Sequence, residues 1–314
     1  MSMAMAARLQ LIGVGRLLGV NVFLMVGSVW AVSPCVGAQE KLDLAKWKLA
    51  VRSARTGPAL VAALNAAAFL RDADGRPMGQ ERLKGLRKVE GVLVDDFEAH
   101  LSGAAAPERI VQVVVRGLSG ASAEDSASHY RLRVVRALRP GERHEWCDLG
   151  VVVSEEDAIE PTCEDFPGTT FAFEYLLASD RQVIRTSRDE ITCNPGGRDL
   201  GTKRGVAYLA LVDGQLTTIF QQVVALESHN VMSGLRKETA TISFTGTFPK
   251  ALDVESTRLC SPGMASTNFC VIGGESGPAG DATSEWSKTS FVFNGTRYAE
   301  RHMEMKRETS KEAP

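Results

Sequence analysis

The sequence predicts a mainly β fold, an antiparallel β-sandwich or barrel-like sheet pair with two N-terminal helices. Three observations support this prediction. From Glu108 onward, apolar residues alternate with polar ones, and this period of two places one face of a strand in a core. Turn signals such as Asp213-Gly214 and Asn294-Gly295 separate the apolar runs. The chain also contains 29 glycines, which suits a fold with many turns.

Two helices are expected before the strands. Residues 42–53 carry apolar side chains at helical spacing, and Thr56-Gly57-Pro58 ends this helix because proline cannot continue its hydrogen bonds. An alanine-rich helix is predicted at residues 59–71. Residues 76–105 remain ambiguous, since they fit a short helix at 81–88 and a strand at 91–97.

About eleven strands are expected from the alternating pattern and the turn signals. They are predicted at 109–116, 129–138, 145–153, 169–178, 182–188, 205–226 (two strands), 238–248, 252–259 and 288–302 (two strands).

The most apolar hairpin is predicted at residues 205–226, with Asp213-Gly214 as a type I′ turn. This turn sets Leu211 opposite Leu216, Leu209 opposite Thr218, and Ala207 opposite Phe220. The period of two then gives one core face, and the other face should be at best half buried. The predicted core face consists of Ala207, Leu209, Leu211, Leu216, Phe220 and Val224.

Two further hairpins have predicted registers. Ser179-Asp180 is the expected turn of the first, which carries four apolar side chains on one face of its first strand: Phe171, Phe173, Tyr175 and Leu177. In the second hairpin, Asn294-Gly295 as the turn sets Phe291 opposite Tyr298 as an aromatic cross-strand pair.

Residues 1–38 are predicted to be a signal peptide cleaved before Gln39. Arg8 and Arg16 supply positive charge, residues 17–32 are apolar, and small residues precede the cleavage site. The alternative is a membrane anchor, which needs roughly 20 apolar residues. This run has 16, and no later segment is long and apolar enough to span a bilayer.

The rest of the chain is divided by pattern into three parts. Residues 39–105 form an N-terminal helical segment and residues 106–303 a β-rich domain. Residues 304–314 are charged and lack apolar anchors, so a disordered tail is expected there.

The mature chain is acidic, which limits its partners. After loss of residues 1–38, 34 basic and 38 acidic residues remain, a net charge of −4 before histidine. This charge disfavours nucleic acid, because proteins that bind it present a basic face. No Gly-x-x-x-x-Gly-Lys and no Gly-x-Gly-x-x-Gly pattern opens a helix, so no nucleotide or other cofactor is expected.

Five cysteines follow the signal segment: Cys147, Cys163, Cys193, Cys260 and Cys270. An oxidising compartment predicts two disulfides and one odd thiol. The pairs Cys163–Cys193, at the open end of the Ser179-Asp180 hairpin, and Cys260–Cys270, across a short loop, are predicted. Cys147 would then be a buried, inert thiol. The alternative pairs Cys147 with Cys163 and leaves Cys193 free.

No catalytic residue is predicted from the motifs. Residues 274–278 (GESGP) resemble the segment around the nucleophile of chymotrypsin-like proteases, but one glycine is missing and no histidine has the expected setting for the base. The histidines show no zinc-binding spacing and are expected at the surface or in loops. They are His100, His129, His144, His229 and His302.

An acidic loop between two predicted strands is a candidate for calcium. Clustered carboxylates on flexible backbone suit hard cations, although charged runs are usually solvated loops and this spacing matches no known calcium loop. The candidate ligands are Glu155, Glu156, Asp157, Glu160, Glu164 and Asp165.

We interpret the chain as an exported, disulfide-stabilised, β-rich protein of the periplasm, cell envelope or extracellular space. It is expected to be a non-catalytic binding or structural protein with an unknown protein or glycan ligand. The alternative is a secreted hydrolase whose site residues assemble from distant parts of the chain. A pocket that combines histidine, acid and serine or cysteine side chains would favour the hydrolase.

Overall fold

The fold is a sandwich-like pair of antiparallel sheets, as the sequence predicts. A computed structural model describes residues 43–67, 69–71, 76–119, 128–140, 146–159, 168–193, 199–230, 234–262 and 282–310. Its helices are α1 (Leu44–Ser53), α2 (Gly57–Asn65) and α3 (Gln80–Lys84). None of these helices is long and apolar enough to cross a membrane. The predicted signal segment, residues 1–38, lies outside the described residues.

The first sheet has four strands in sequence order. They are β1 (Leu86–Ala99), β2 (Glu108–Ser119), β3 (Ser128–Pro140) and β4 (Trp146–Ile159). The ambiguous residues 76–105 thus contain both a helix and a strand. Because β1 pairs with β2 along its whole length, the predicted boundary between residues 105 and 106 falls in the connection of a hairpin.

The second sheet has eight strands, also in sequence order. They are β5 (Thr170–Glu174), β6 (Val183–Cys193), β7 (Asp199–Val212), β8 (Gln215–Asn230), β9 (Gly234–Thr245), β10 (Ala251–Pro262), β11 (Ala282–Phe293) and β12 (Tyr298–Ser310). Strand β12 is paired with β11 as far as Ser310, so the predicted disorder from residue 304 is wrong for residues 304–310. Cross-strand hydrogen bonds to β11 hold this charged segment in place.

The three helices cover one face of the small sheet. Asp43 caps α1, since its carboxylate accepts a hydrogen bond from the backbone N–H of Lys46 at 3.1 Å. At Gly57, a Cβ atom would lie 1.9 Å from the carbonyl oxygen of Leu83, so only glycine allows α2 to approach the end of α3 this closely. The helices and the sheet face share a buried cluster that includes Trp47, Leu60, Phe69, Val113 and Leu132.

The other face of the small sheet packs against the larger sheet. Ile110, Val135 and Leu149 contact Ile184 and Leu209 in a second buried cluster. The backbone also joins the two sheets, because the N–H of Gln182 donates to the carbonyl of His100 at 2.7 Å. The small sheet is therefore a layer between the helices and strands β5–β8.

The opposite face of the larger sheet wraps around a third cluster. This cluster takes residues from β6 to β12, among them Val183, Tyr208, Phe220, Leu252 and Tyr298. The Tyr298 hydroxyl donates to the carbonyl of Lys250 at 2.9 Å, and the Lys250 N–H donates to the carbonyl of Leu176 at 2.9 Å. These contacts bring the two ends of the sheet together at one end of the strands.

The predicted turn and the first pairs of the most apolar hairpin are confirmed. Asp213 and Gly214 both have positive φ, and Leu211 pairs with Leu216 and Leu209 with Thr218. A bulge then sets Tyr208 opposite Phe220, so the predicted pairing of Ala207 with Phe220 is wrong.

The expectation of one core face on this hairpin is also wrong. Leu209, Leu211 and Leu216 contact the second cluster, whereas Tyr208 and Phe220 lie in the third. Both faces are buried because the hairpin lies between two apolar layers.

The other two predicted registers are wrong by two residues. Strand β5 ends at Glu174, and Phe173 pairs with Ile184, so the predicted strand positions of Tyr175 and Leu177 lie in the connection to β6. In the last hairpin Tyr298 pairs with Phe293 instead of Phe291.

The side chain of Asn294 explains the register of the last hairpin. Its Oδ1 accepts hydrogen bonds from the backbone N–H groups of Thr296 and Arg297, at 3.1 and 3.0 Å. These bonds stabilise a wider turn than the predicted two-residue turn.

Candidate functional site

The candidate site is a groove on the face of β9–β12 that continues the third cluster. We define the groove by its cavity of about 760 Å³. Most of its lining side chains alternate along β9–β12, and the strand registers align these residues in rows that cross the sheet. The lining includes Glu238, Ala240, Val254, Ser256, Arg258, Glu285, Ser287, Thr289, Phe291, Met303, Met305 and Arg307.

One row is charged across all four strands. Arg258 pairs with Glu238 on one side and with Glu285 on the other, and Glu285 pairs with Arg307. We call these four residues the charged ladder. Arg258 Nε donates to Glu238 Oε1 at 2.6 Å. The Glu285 carboxylate lies 3.5 Å from the Arg258 guanidinium and 3.4 Å from the Arg307 guanidinium. Opposite charges in adjacent strands stabilise this row.

The arginines of the ladder are its accessible members. The side chains of Arg258 and Arg307 are 36 % and 34 % exposed, whereas those of Glu238 and Glu285 are 19 % and 9 % exposed. A molecule that enters the groove therefore meets guanidinium groups before it meets carboxylates.

The next row is small and polar. Ser256 and Ser287 are paired in register, and their hydroxyl oxygens are 2.7 Å apart. Ala240 and Met305 flank them on β9 and β12. This row separates the charged ladder from the apolar part of the groove.

Beyond the serine pair the groove becomes apolar. Ile242, Val254, Thr289 and Met303 form the next row across the sheet. Its end is closed by aromatic rings that belong to the third cluster, because the Phe291 ring centroid lies 5.2 Å from that of Phe220.

Burial changes the tyrosine at this closed end. It raises the pKa of Tyr298 to about 12, because the phenolate would lose its hydration. The tyrosine is therefore neutral under ordinary conditions, and its hydroxyl acts as a hydrogen-bond donor to Lys250.

A second cavity of about 610 Å³ lies between β4 and β6–β8. It shares Gln222, Val223 and Glu238 with the groove, so the two cavities are neighbours. Three of its charged members pair with each other, since Glu190 lies 3.4 Å from both Arg188 and Lys203, and the fourth, Glu238, pairs with Arg258.

The predicted calcium ligands are not brought together where the structure describes them. Strand β4 extends to Ile159, so Glu155 and Glu156 belong to a strand and not to a loop. Successive strand residues point to opposite faces, and Glu156 lies near Arg82 while Glu155 pairs with Arg133.

No cluster of metal-ligating residues occurs within the described ranges. The side chains of the remaining candidates, Asp157, Glu160, Glu164 and Asp165, lie outside the described residues. For these residues calcium binding stays a prediction.

Glu155 is instead part of a buried polar network between the two sheets. Its carboxylate accepts hydrogen bonds from the N–H and hydroxyl of Thr169, the former at 2.7 Å, and lies 3.5 Å from Arg133. Arg133 also donates to Gln112 at 2.7 and 2.9 Å. Burial lowers the pKa of Arg133, and the nearby Glu155 opposes this effect.

The prediction of a free Cys147 is wrong. Cys147 and Cys260 are both disulfide-bonded. The side chains of Cys163, Cys193 and Cys270 lie outside the described residues, so the predicted pairs stay predictions. Cysteine spacing alone could not identify Cys147 as a disulfide cysteine, because its position next to Trp146 at the start of β4 is equally compatible with a buried thiol.

The other predicted surface and loop features are described only in part. His100 and His302 are exposed, as expected. The side chains of His129, His144 and His229 and the whole of residues 274–278 lie outside the described part of the chain.

Sequence reasoning missed the groove. Glu285, Ser287 and Thr289 are buried although they are polar, so the alternation on β11 assigns them to the wrong face. A signal was present: charges of opposite sign recur at positions 238, 258, 285 and 307, but the ladder appears only after the register of four strands is known.

Comparisons with known proteins do not add a relative: no family model matches the chain, and neither the curated proteins nor the solved structures contain a match.

Proposed function

We propose that the protein is a non-catalytic binding protein that holds an elongated amphiphilic molecule with an acidic head group in the groove. The observation that carries this proposal is the order of the rows across β9–β12. They change from the charged ladder, through the serine pair, to an apolar row closed by aromatic rings. A ligand with one charged and one apolar end matches this order.

The apolar end of the ligand lies over Val254, Phe291 and Met303, which line the cavity. A cavity of about 760 Å³ is within the usual size of small-molecule sites. Met303 and Met305 are flexible and polarizable, so they adapt to a chain-like ligand without a fixed shape. Burial of this apolar surface supplies the main part of the binding free energy.

The acidic head group lies at the ladder. Arg258 and Arg307 present donors at the accessible side of the row, and guanidinium groups bind carboxylates and phosphates in a bidentate manner. Glu238 and Glu285 hold these arginines in place. Fixed, partly buried arginines bind an anion with less loss of side-chain entropy than free ones.

The chemistry of the lining favours binding over hydrolysis. Ser256 and Ser287 contact each other, and the described lining residues of the groove include no histidine or cysteine. A serine nucleophile needs an adjacent base, and both glutamates of the groove are engaged by arginines.

A direct test uses a long-chain fatty acid that carries a fluorescent group, titrated with the purified protein. We expect saturable binding, and we expect Met303→Glu to raise the Kd at least about tenfold, because a carboxylate then enters the apolar row. The matched control is Val292→Glu, which places the same acid at an exposed apolar position on the opposite face of β11. It should leave the Kd unchanged.

The head group is tested with the uncharged methyl ester of the same probe. Weaker binding of the ester, and weaker binding of the acid to Arg258→Gln, are the expected results. The proposal fails if the protein does not bind the acid, or if Met303→Glu and Val292→Glu bind it equally well.

We further propose that the protein is exported. The signal-like pattern of residues 1–38 supports this proposal, and so do the disulfide bonds of Cys147 and Cys260, since disulfides persist in oxidising compartments. N-terminal sequencing of protein recovered from the producing cells should begin at Gln39. An intact Met1 in membrane pellets would contradict export with cleavage.

A further inference from the structure

Strand β12 is the longer of the two edge strands of the larger sheet. It has 13 residues, whereas β5 at the other edge has 5. Within the described residues β12 pairs only with β11, and residues 300–308 are all exposed. The backbone N–H and C=O groups on the outer side of an edge strand point away from its own sheet, so a long edge strand is a template for another strand.

We propose that two copies of this chain associate through β12, in antiparallel register around a twofold axis at Met305. In such an interface every pair of residues away from the axis occurs twice, because residue i of either copy lies opposite residue j of the other. Met305 lies opposite Met305 of the second copy, and residues 302–308 face residues 308–302. This segment follows the β-bulge at Arg301 of β12, and from His302 onward the pairing of β12 with β11 is regular.

Charge complementarity identifies a second copy as the partner. On the face opposite the groove, Glu304 lies opposite Lys306 of the second copy, and Lys306 opposite its Glu304. His302 likewise lies opposite Glu308 in both directions. Directly opposed residues in antiparallel strands have Cβ atoms roughly 4.5–5.5 Å apart, so these pairs attract.

Neighbouring registers are unfavourable. An axis at Glu304 would set this residue against itself and His302 against Lys306. An axis at Lys306 would set two lysines together and Glu304 against Glu308. Like charges directly opposite each other destabilise a strand pair, so the charge pattern favours the axis at Met305 over these two neighbouring axes.

The same register also joins the two grooves. Met303 and Met305 are 46 % and 54 % exposed on the groove face of β12. In the pair, Met305 contacts Met305 of the second copy, and Met303 lies opposite its Arg307. The association therefore removes exposed apolar surface, and it makes the two groove faces continuous.

The test exploits the charge pattern. Glu304→Lys and Lys306→Glu are each self-repulsive in the proposed register, since positions 304 and 306 then carry the same charge and oppose each other. Mixed in equal amounts the variants are complementary, because two lysines of one chain face two glutamates of the other at these positions. Sedimentation velocity should show a wild-type dimer, a dissociation constant at least about tenfold higher for each variant alone, and recovery of the dimer in the mixture.

Two controls make the result specific. Circular dichroism must show that both variants keep their β structure, which matters for Lys306 because its ammonium lies 5.4 Å from the Trp286 ring. Lys46→Glu, an equal charge change at an exposed position on α1, should leave the dimer intact. A wild-type monomer at all soluble concentrations overturns the proposal, and so does a mixture that associates no more than either variant alone.

Discussion

On β2, Val111, Val113 and Val115 are at most 1 % exposed, whereas on β12 the alternating positions Met303 and Met305 are about half exposed. Both strands follow the same period of two, and both belong to antiparallel sheets whose strands follow each other in sequence. The difference lies in what covers them. The helices and the larger sheet cover both faces of the small sheet, while the groove face of β9–β12 keeps an open cavity.

The charged groups of the two regions differ in the same way. Arg133 in the small sheet is fixed by Glu155, Gln112 and Thr169, and its side chain is 12 % exposed. Arg258 in the ladder also has carboxylate partners, but about a third of its side chain faces solvent. The first arrangement holds two sheets together, whereas the second leaves donors accessible to a ligand.

The largest expected effect comes from a core residue of the small sheet. Leu132 is fully buried against the helices, so Leu132→Ala should lower the free energy of unfolding by about 2–5 kcal/mol. Met303→Ala in the groove should lower it by less than about 1 kcal/mol. Urea denaturation followed by circular dichroism measures both. Equal losses would contradict the difference between a covered and an open face.

A smaller effect is expected from the buried polar network. Glu155→Gln leaves Arg133 without its counter-charge between the sheets, and the expected loss is about 2 kcal/mol. Glu238→Gln in the ladder should cost less than about 1 kcal/mol, because water can solvate Arg258 instead. The same denaturation experiment compares the two variants. A larger loss of stability for Glu238→Gln than for Glu155→Gln would contradict the interpretation that the Arg133 network holds the two sheets together and that the ladder does not.

The strands and their sheet class were predictable because they depend on local patterns. Asp213-Gly214 specifies its turn by the positive φ angles it tolerates, and the period of two locates the strands near it. The bulge between Tyr208 and Leu209 was not predictable, because it depends on the layers that cover both faces of the hairpin. One such bulge changes every later pair.

The candidate site was hidden for a related reason. Glu285 and Ser287 face the groove, but their polarity alone assigns them to solvent. Their partners Arg258 and Ser256 lie about 30 positions away and are opposed only through the register of β10 and β11. Glu155 shows the converse. Its place in an acidic run predicted a bound metal cation, whereas in the folded protein its positively charged partner is the guanidinium of Arg133.

The smallest expected effect concerns the closed end of the groove, where Tyr298 is buried. Tyr298→Phe removes the hydrogen bond to the Lys250 carbonyl, and the expected loss at neutral pH is about 1 kcal/mol. Because burial raises the pKa of Tyr298 to about 12 from an unfolded value of 10.0, its contribution is fully present below pH 10. It is lost as the pH rises from 10 to 12, since the unfolded chain releases its proton first.

Urea denaturation at several pH values, together with the ultraviolet absorbance of tyrosinate, tests this titration. The wild type should lose stability between pH 10 and 12, and Tyr298→Phe should lose less over the same interval. Tyr175 is 42 % exposed, so Tyr175→Phe is the matched control for the loss of a tyrosine hydroxyl. An equal decline in Tyr298→Phe and the wild type would contradict a raised pKa of Tyr298 in the folded protein.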